Sequence, residues 1–531
     1  MTTSPVAARD ATIHDPRHRR TILITVCLAL MAVIASVSGL NVAQPQLTAA
    51  FGASQSDVLW IINIYTLTLA ALLLPLGALG DRWGRRPMLI AGLLVFGVAG
   101  AAAGLAPSSP VMLAARLLSG AGAAMIMPVT LAVITSTFPD EERSKAIGVW
   151  TGVAGGGGIL GMYLSAVLVD LASWRWLFVL PVVLGAAALA MALRSVPDSR
   201  EPSQGRFDAV GALTSMIAVV GLVLFLHEGP GQGWSAPATL LSLLTGLAAA
   251  AAFVAWELRR PAPLLDVRLF RRRGLASGSV SLLTVFGVQA GIFVVLFPYF
   301  QAVLGWSGLL ATLAFMPMAL LMMAASGLAP RLAARIGSRQ AMAWGILLGG
   351  AGLVLMAALV SVDGGYPSIL PGMLAMGAGM GLTMTPSTEA ITTALPRERQ
   401  GVASALNDIT RELGSALGVA LLGAVLTAGY RTALDTRLSA TPGTLPGTLP
   451  GTLPGALTGA WPEADAAREG ISNALAAARE AGPDARALAR AAQEAFVDGW
   501  QQAMWAGAAV MAILFVYVLA RGPRQQAGND S

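Results

Sequence analysis

The stretch G-A-L-G-D-R-W-G-R-R, Gly77 to Arg86, lies between two apolar runs, and the same frame returns 253 residues later as P-R-L-A-A-R-I-G-S-R, Pro330 to Arg339. A second pair behaves alike. F-P-D-E-E-R-S-K-A (Phe138 to Ala146) is answered by L-P-R-E-R-Q-G-V-A (Leu395 to Ala403) at an offset of 257. Two matches at nearly one offset imply two homologous halves. Duplicated halves of apolar helices are a common plan for alternating access across a membrane.

The sequence around these loops agrees. Of 531 residues, 55% are apolar and only 12% charged, about half the charge of a soluble domain. Windows of about 20 apolar residues predict an all-α integral membrane fold with fourteen spans. Six fall in 21–194, two at 208–228 and 236–257, five in 275–427, and one at 501–520. The expected organisation is a cytoplasmic tail (1–20), a six-helix bundle (21–194) and an inserted two-helix linker (195–274). A second six-helix bundle (275–520), carrying a long outer loop (428–500), and a cytoplasmic tail (521–531) complete it.

Arg17, Arg19 and Arg20 precede the first apolar run, which is too long and too poorly terminated for a cleaved signal, so it is read as an uncleaved span. Most of the 34 basic residues then fall in short inner segments, including Arg259, Arg260, Arg268, Arg271, Arg272 and Arg273 in one loop. That bias places both termini in the cytoplasm and explains the net charge of +6 without nucleic acid. Trp60, Trp174, Trp176, Trp234 and Trp306 fall near outer ends, as an interfacial belt would.

Several chemistries are excluded. Cys27 is the single cysteine, and His14, His18 and His227 cannot build a Cys/His metal site. The one lysine, Lys145, follows Ser144 rather than glycine, so the chain carries no phosphate-cradling ATP loop. G-G-G-I-L-G (Gly156 to Gly161) matches a dinucleotide fingerprint formally, but it follows no strand and reads as close helix packing. No nucleophile–base pair suggests an enzyme, and no cofactor is expected. In the outer loop, the P-G-T-L repeat (Pro442 to Leu453) reads as spacer, and 464–481 and 484–502 as surface helices, with a lid over the outer vestibule as the alternative.

The charges left near or inside spans are the candidate site. Gly77 and Gly84 allow close approach and a tight turn, while Arg82, Arg85 and Arg86 suit the inner lipid surface. Asp81 is not needed for anchoring. It can pair with those arginines or meet the positive N-terminus of a helix from the other half. Arg116 lies about six residues, or ~9 Å, inside the fourth span, where an unpaired cation is costly. In the thirteenth span Asp408 and Glu412 share a face, with Arg411 between them. Acids so deep are paired, hydrated or protonated, which suits a proton carrier; a local Asp408–Arg411 pair is the alternative. Glu389 reads as a residue reaching into the inner interface. The methionines Met316, Met318, Met322, Met323, Met373, Met376, Met380 and Met384 read mostly as lipid-facing filler, with an adaptable cavity as the alternative.

The first loop resembles the signature of the major facilitator superfamily, and fourteen spans resemble its fourteen-helix drug:proton antiporter branch. N-V-A-Q-P (Asn41 to Pro45), Trp60 with Tyr65, R-L-L-S-G (Arg116 to Gly120), S-W-R-W-L-F (Ser173 to Phe178) and N-D-I-T-R-E-L-G (Asn407 to Gly414) also fit. The resemblance implies that Asp81 helps to gate the inner side. It implies a bacterial cell-membrane transporter, monomeric, that exports amphipathic drugs or toxic metabolites in exchange for protons. Dedicated export of one endogenous product, or a non-transporting sensor with the same fold, are the alternatives. The sequence departs from the family at four places: Met162 for a proline, Ser165-Ala166 for paired glycines, Pro181 for an asparagine, and Ser36 for an acid that relatives set level with the arginine. Arg116 is then met by another carboxylate, by polar groups such as Asn41 and Gln44, or by an anionic group of a substrate.

Overall fold

The computed structural model describes residues 13–40, 43–197, 207–439, 467–468, 470–480 and 485–523. Its helices run α1 (Pro16–Gly39), α2 (Gln44–Phe51), α3 (Gln55–Trp83), α4 (Arg85–Gly104), α5 (Ser109–Thr137), α6 (Asp140–Leu171) and α7 (Val179–Ser195). They continue as α8 (Ala209–Gln232), α9 (Pro237–Glu257), α10 (Arg273–Pro298), α11 (Gly308–Ala314), α12 (Met316–Ile336), α13 (Ser338–Leu359) and α14 (Gly365–Thr392). The last three are α15 (Gln400–Ser439), α16 (Ile471–Glu480) and α17 (Ala485–Arg521). Fourteen helical segments are long and apolar enough to cross a membrane, and among the described residues there is no strand. Every backbone polar group in a bilayer must be satisfied internally, and continuous helices achieve that within each segment.

Local chemistry sets the ends of these helices. Ser54 and Asp57 close a reciprocal cap at the start of α3, each side chain accepting from the other's backbone N–H at 3.1 Å. Asp140, Glu141 and Glu142 crowd the first turn of α6, where the helix dipole favours negative charge. Gly84 ends α3 with φ 109°, a backbone conformation that side chains resist, and α4 starts at once.

Contacts divide the chain into two compact units. The first comprises Met1–Leu222, Leu243–Ser279 and Ser387–Ile409; the second comprises Val223–Ser242, Val280–Pro386 and Thr410–Ser531. Within the first, α3, α4 and α5 pack through small residues. A methyl added to Gly120 would stand 2.6 Å from the Tyr65 carbonyl oxygen, and one added to Gly122 would stand 2.7 Å from the Phe96 nitrogen. The G-G-G-I-L-G run serves the same end: Gly157 faces Met31, and Gly161 faces the Ala35 backbone, drawing α6 onto α1. Trp60, Trp176 and Trp234 are partly exposed as an interfacial belt requires, but Trp174 is not. It is 4% exposed and packs at 5.3 Å from the Phe51 ring, in an apolar cluster with Leu47, Val58 and Phe178. The short helix α2, which folds back over it, supplies the cover. On α9, Leu241 and Leu244 are about two-thirds exposed, as a lipid-facing helix requires.

The second unit corrects two expectations. Met318, Met322, Met373, Met376, Met380 and Met384 are buried, so they are interior packing rather than lipid-facing filler. Glycines on α14 let α12 approach closely: Gly377 and Gly381 lie against the backbone carbonyls of Met318 and Met322. The outer loop is also shorter than expected. α15 runs on to Ser439, and residues 485–500 are the first turns of α17 rather than a separate surface helix. These extensions hold together because their apolar faces meet a partner: Leu434, Ala492, Phe496 and Trp500 are buried, and Arg437 pairs with Asp498 at 2.7 Å. The Trp500 indole donates to the Met356 carbonyl at 3.3 Å. Nearby, Arg490 grips Asp363 with two bonds of 2.7 and 2.5 Å, and these hold the Asp363 carboxyl below the usual carboxylate range. The helix expected in 464–481 is α16, with Ile471, Ala474 and Ala478 buried on one face. The P-G-T-L repeat lies outside the described residues.

Candidate functional site

Within the first unit, the stretch Gly77–Arg86 meets the start of α15. Asp81, 8% exposed, accepts from the backbone N–H of Gly401 at 2.8 Å through Oδ1 and from that of Val402 at 3.1 Å through Oδ2. Gly401 and Val402 lie in the first turn of α15, where backbone N–H groups have no partner inside the helix and the dipole is positive. An acid there satisfies both. Gly77 makes the approach possible, since a methyl on it would stand 2.6 Å from the Gly401 oxygen and 2.8 Å from the Ala405 Cβ.

The arginines divide. Arg85 is 1% exposed, donating to Asp81 at 3.3 Å and to the Arg397 carbonyl at 3.1 Å, so it is a buried clamp and not a lipid anchor. The tight turn at Gly84 is what aims it inward. Arg82 lies over the Phe207 ring at 6.0 Å, and Arg86 donates to the Leu193 carbonyl at 2.7 Å.

The second repeat pair joins the same cluster, a relation that its use as a marker of duplication did not reveal. Asp140 holds Arg143 at 2.6 Å and Arg397 at 3.2 Å. The Ser144 hydroxyl donates to Glu389, which is therefore bonded inside the unit and does not reach out to the interface. The Gln400 amide donates to the carbonyls of Thr392, Leu395 and Pro396 and holds the α14–α15 turn. Arg399 donates to the Pro263 carbonyl at 3.2 Å and Arg272 to that of Ala394 at 3.3 Å, tying in the loop after the inserted helices. Opposite charges at matching places in the two repeats, such as Asp140 against Arg397, were the available signal.

Arg116 lies where α1, α3 and α5 meet. It is 1% exposed; Nη1 donates to Ser36 Oγ at 2.9 Å and Nε to the Ile61 carbonyl at 3.3 Å, and the guanidinium lies 4.2 Å from the centre of the Tyr65 ring. Nη2 has no hydrogen-bond partner among the described residues. Its partners are thus Ser36, a carbonyl and an aromatic face, in place of Gln44 or a carboxylate; Asn41 lies outside the described residues. On α15, Asp408 is fully buried and accepts from Asn407 Nδ2 at 3.3 Å. Arg411 lies over the Phe286 ring at 4.4 Å, and Glu412 beside it is half-buried.

Fourteen membrane-length helices among the described residues, with a short charged loop that seats an acid on a helix start, fit a polytopic membrane protein. The profile of the Major Facilitator Superfamily matches residues 26–419. The Multidrug resistance protein Stp of Mycobacterium tuberculosis is 32% identical over 396 residues, covering 74% of this chain and 73% of that one. The Multidrug efflux pump LfrA of Mycolicibacterium smegmatis is 30% identical over 414 residues, covering 78% and 82%. The Cephamycin export protein CmcT of Amycolatopsis lactamdurans is 32% identical over 401 residues, covering 75% and 82%. Among solved structures, the human organic anion transporter MFSD10 superposes with a TM-score of 0.60 at 16% identity, over 95% of this chain and all of that one. The proton:xylose symporter XylE does so at 0.58 and 14%, over 96% and 97%; both support the fold alone. The chain belongs to the major facilitator superfamily.

Proposed function

We propose that this chain is a secondary active exporter of amphipathic drugs or toxic metabolites, driven by exchange for protons across the bacterial cell membrane, with both termini cytoplasmic. The observation that carries the reading is the seating of Asp81 on the first turn of α15, closed over Gly77. Such a contact holds one conformation through two directional bonds and releases it when they break, which a carrier needs and a static scaffold does not. Gly77, Asp81, Gly84 and Arg85 form the latch, with Arg82 and Arg86 steadying the loop. Export of multidrug and antibiotic compounds comes from the relatives' names. Proton exchange is assigned to α15, where Asp408 and Glu412 are the titratable groups and Arg411 is their neighbouring cation. The halves 21–194 and 275–520, the linker 195–274 and a monomeric state complete the proposal.

The test is counterflow of amphipathic dyes in proteoliposomes under an imposed pH gradient, with Asp408→Asn and Glu412→Gln alongside. Uptake that collapses with the gradient, and that at least one variant uncouples, is expected. Uptake indifferent to the gradient removes proton exchange, and no uptake of any compound removes export.

A further inference from the structure

We infer that Arg116 and Ser36 form a subsite for an anionic group, a carboxylate in the first instance, on the exported molecule; the inference rests on the exporter reading above. Every partner of Arg116 is uncharged. Ser36 Oγ and the Ile61 carbonyl accept from it, and Tyr65 lies beneath it as a neutral phenol whose hydroxyl donates to the Val33 carbonyl at 3.3 Å. No acid offsets it from the three helices packed around it. α1 and α5 contain none, and α3 contains only Asp57, exposed at the outer cap, and Asp81, committed to Gly401 and Val402 at the inner end.

A cation taken out of water without a counter-ion is costly. Stacking on an aromatic ring and hydrogen bonds to neutral acceptors offset part of that cost. These solvate the charge without cancelling it, and one nitrogen is left over. Among the described residues Nη2 is buried without a hydrogen-bond partner, and Ser36 Oγ, which accepts from Nη1, still carries a proton to donate. Two donors and a whole positive charge in a low-dielectric setting match one carboxylate. Arg116 lies seven residues into α5 from Ser109, or ~10 Å from that end of the helix.

The experiment uses three probes with one aromatic body: pyrenebutyrate, its methyl ester and pyrenebutylamine. Binding to the purified full chain is read by fluorescence anisotropy, and transport by counterflow in proteoliposomes. Wild type is expected to bind pyrenebutyrate at least tenfold more tightly than the amine. Ser36→Asp, which sets a fixed carboxylate beside the guanidinium, is expected to lose that preference or reverse it, with size-exclusion behaviour unchanged. Arg116→Gln is expected to bind the acid no better than the ester. Tight, Ser36→Asp-sensitive binding without transport upholds the subsite and overturns the exporter reading. Equal handling of the three probes, unmoved by Ser36→Asp, overturns the subsite and keeps the exporter. Preference of the wild type for the amine, or no binding of pyrenebutyrate, overturns the subsite.

Discussion

In Gly77–Arg86 the turn residue Gly84 has φ 109° and ψ 140°; in Pro330–Arg339 the matching Gly337 has φ 88° and ψ 147°. Each ends one helix and starts the next, and each donates its N–H to the carbonyl four residues back. The backbone of the two copies is therefore one design. Their chemistry is not. The position of buried Asp81 is held by Ala334, which is exposed, and that of buried Arg85 by Ser338. Gly77, pressed against Gly401, corresponds to Pro330. The turn recurs in both stretches, while the first places an acid on a helix start.

The comparison can be broken most severely at Asp81. Asp81→Ala strips a buried acceptor from two backbone donors and from Arg85, a loss of about 3–5 kcal/mol. Counterflow in proteoliposomes is expected to fall by ~100-fold or more, whereas Ser338→Ala in the other copy leaves it unchanged. Gly77→Val comes next: its side chain cannot fit beside Gly401 and Ala405, so transport is lost while the folded chain persists in detergent. Normal transport by this variant would remove close approach from the mechanism. Gly84→Ala and Gly337→Ala are expected to cost the same, about 1–3 kcal/mol each for an unfavourable positive φ. Thermal unfolding that separates the two by more than that range would end the claim of a shared turn. The smallest effect is expected from Ala334→Asp, within ~0.5 kcal/mol of wild type, because an exposed acid there meets no helix start; strongly impaired transport would show a second latch.

Much of this was legible before any coordinates. Apolar length gave all fourteen spans, because lipid permits few alternatives to a continuous helix. Ser36 was singled out by the family resemblance and set level with Arg116 by helical rise, and the two are bonded. Other features depend on tertiary partners that spacing cannot name. Arg85 reads as an anchor until the Arg397 carbonyl is seen beneath it, and Trp174 reads as a belt residue until α2 covers it. The continuation of α15 and α17 past the apolar runs rests on Arg437 meeting Asp498 and on Gly499 lying against the Leu426–Tyr430 backbone, a weak signal in sequence. Tyr65, noted only as part of a motif, proved to be the floor under Arg116.

The contact of Gly77 with Gly401 bears on speed as well as on strength. Where two helices lock through interdigitated side chains, parting them demands many concerted rotamer changes, and a tight grip is a slow one. Here the touching surface is bare backbone, so nothing has to be unthreaded. The holding force comes from Asp81 bonds that are strong at contact distance and vanish within an ångström or two. The joint works like a press stud: firm when shut, quick to part, and unworn by repetition, as a machine that cycles with every molecule it moves requires.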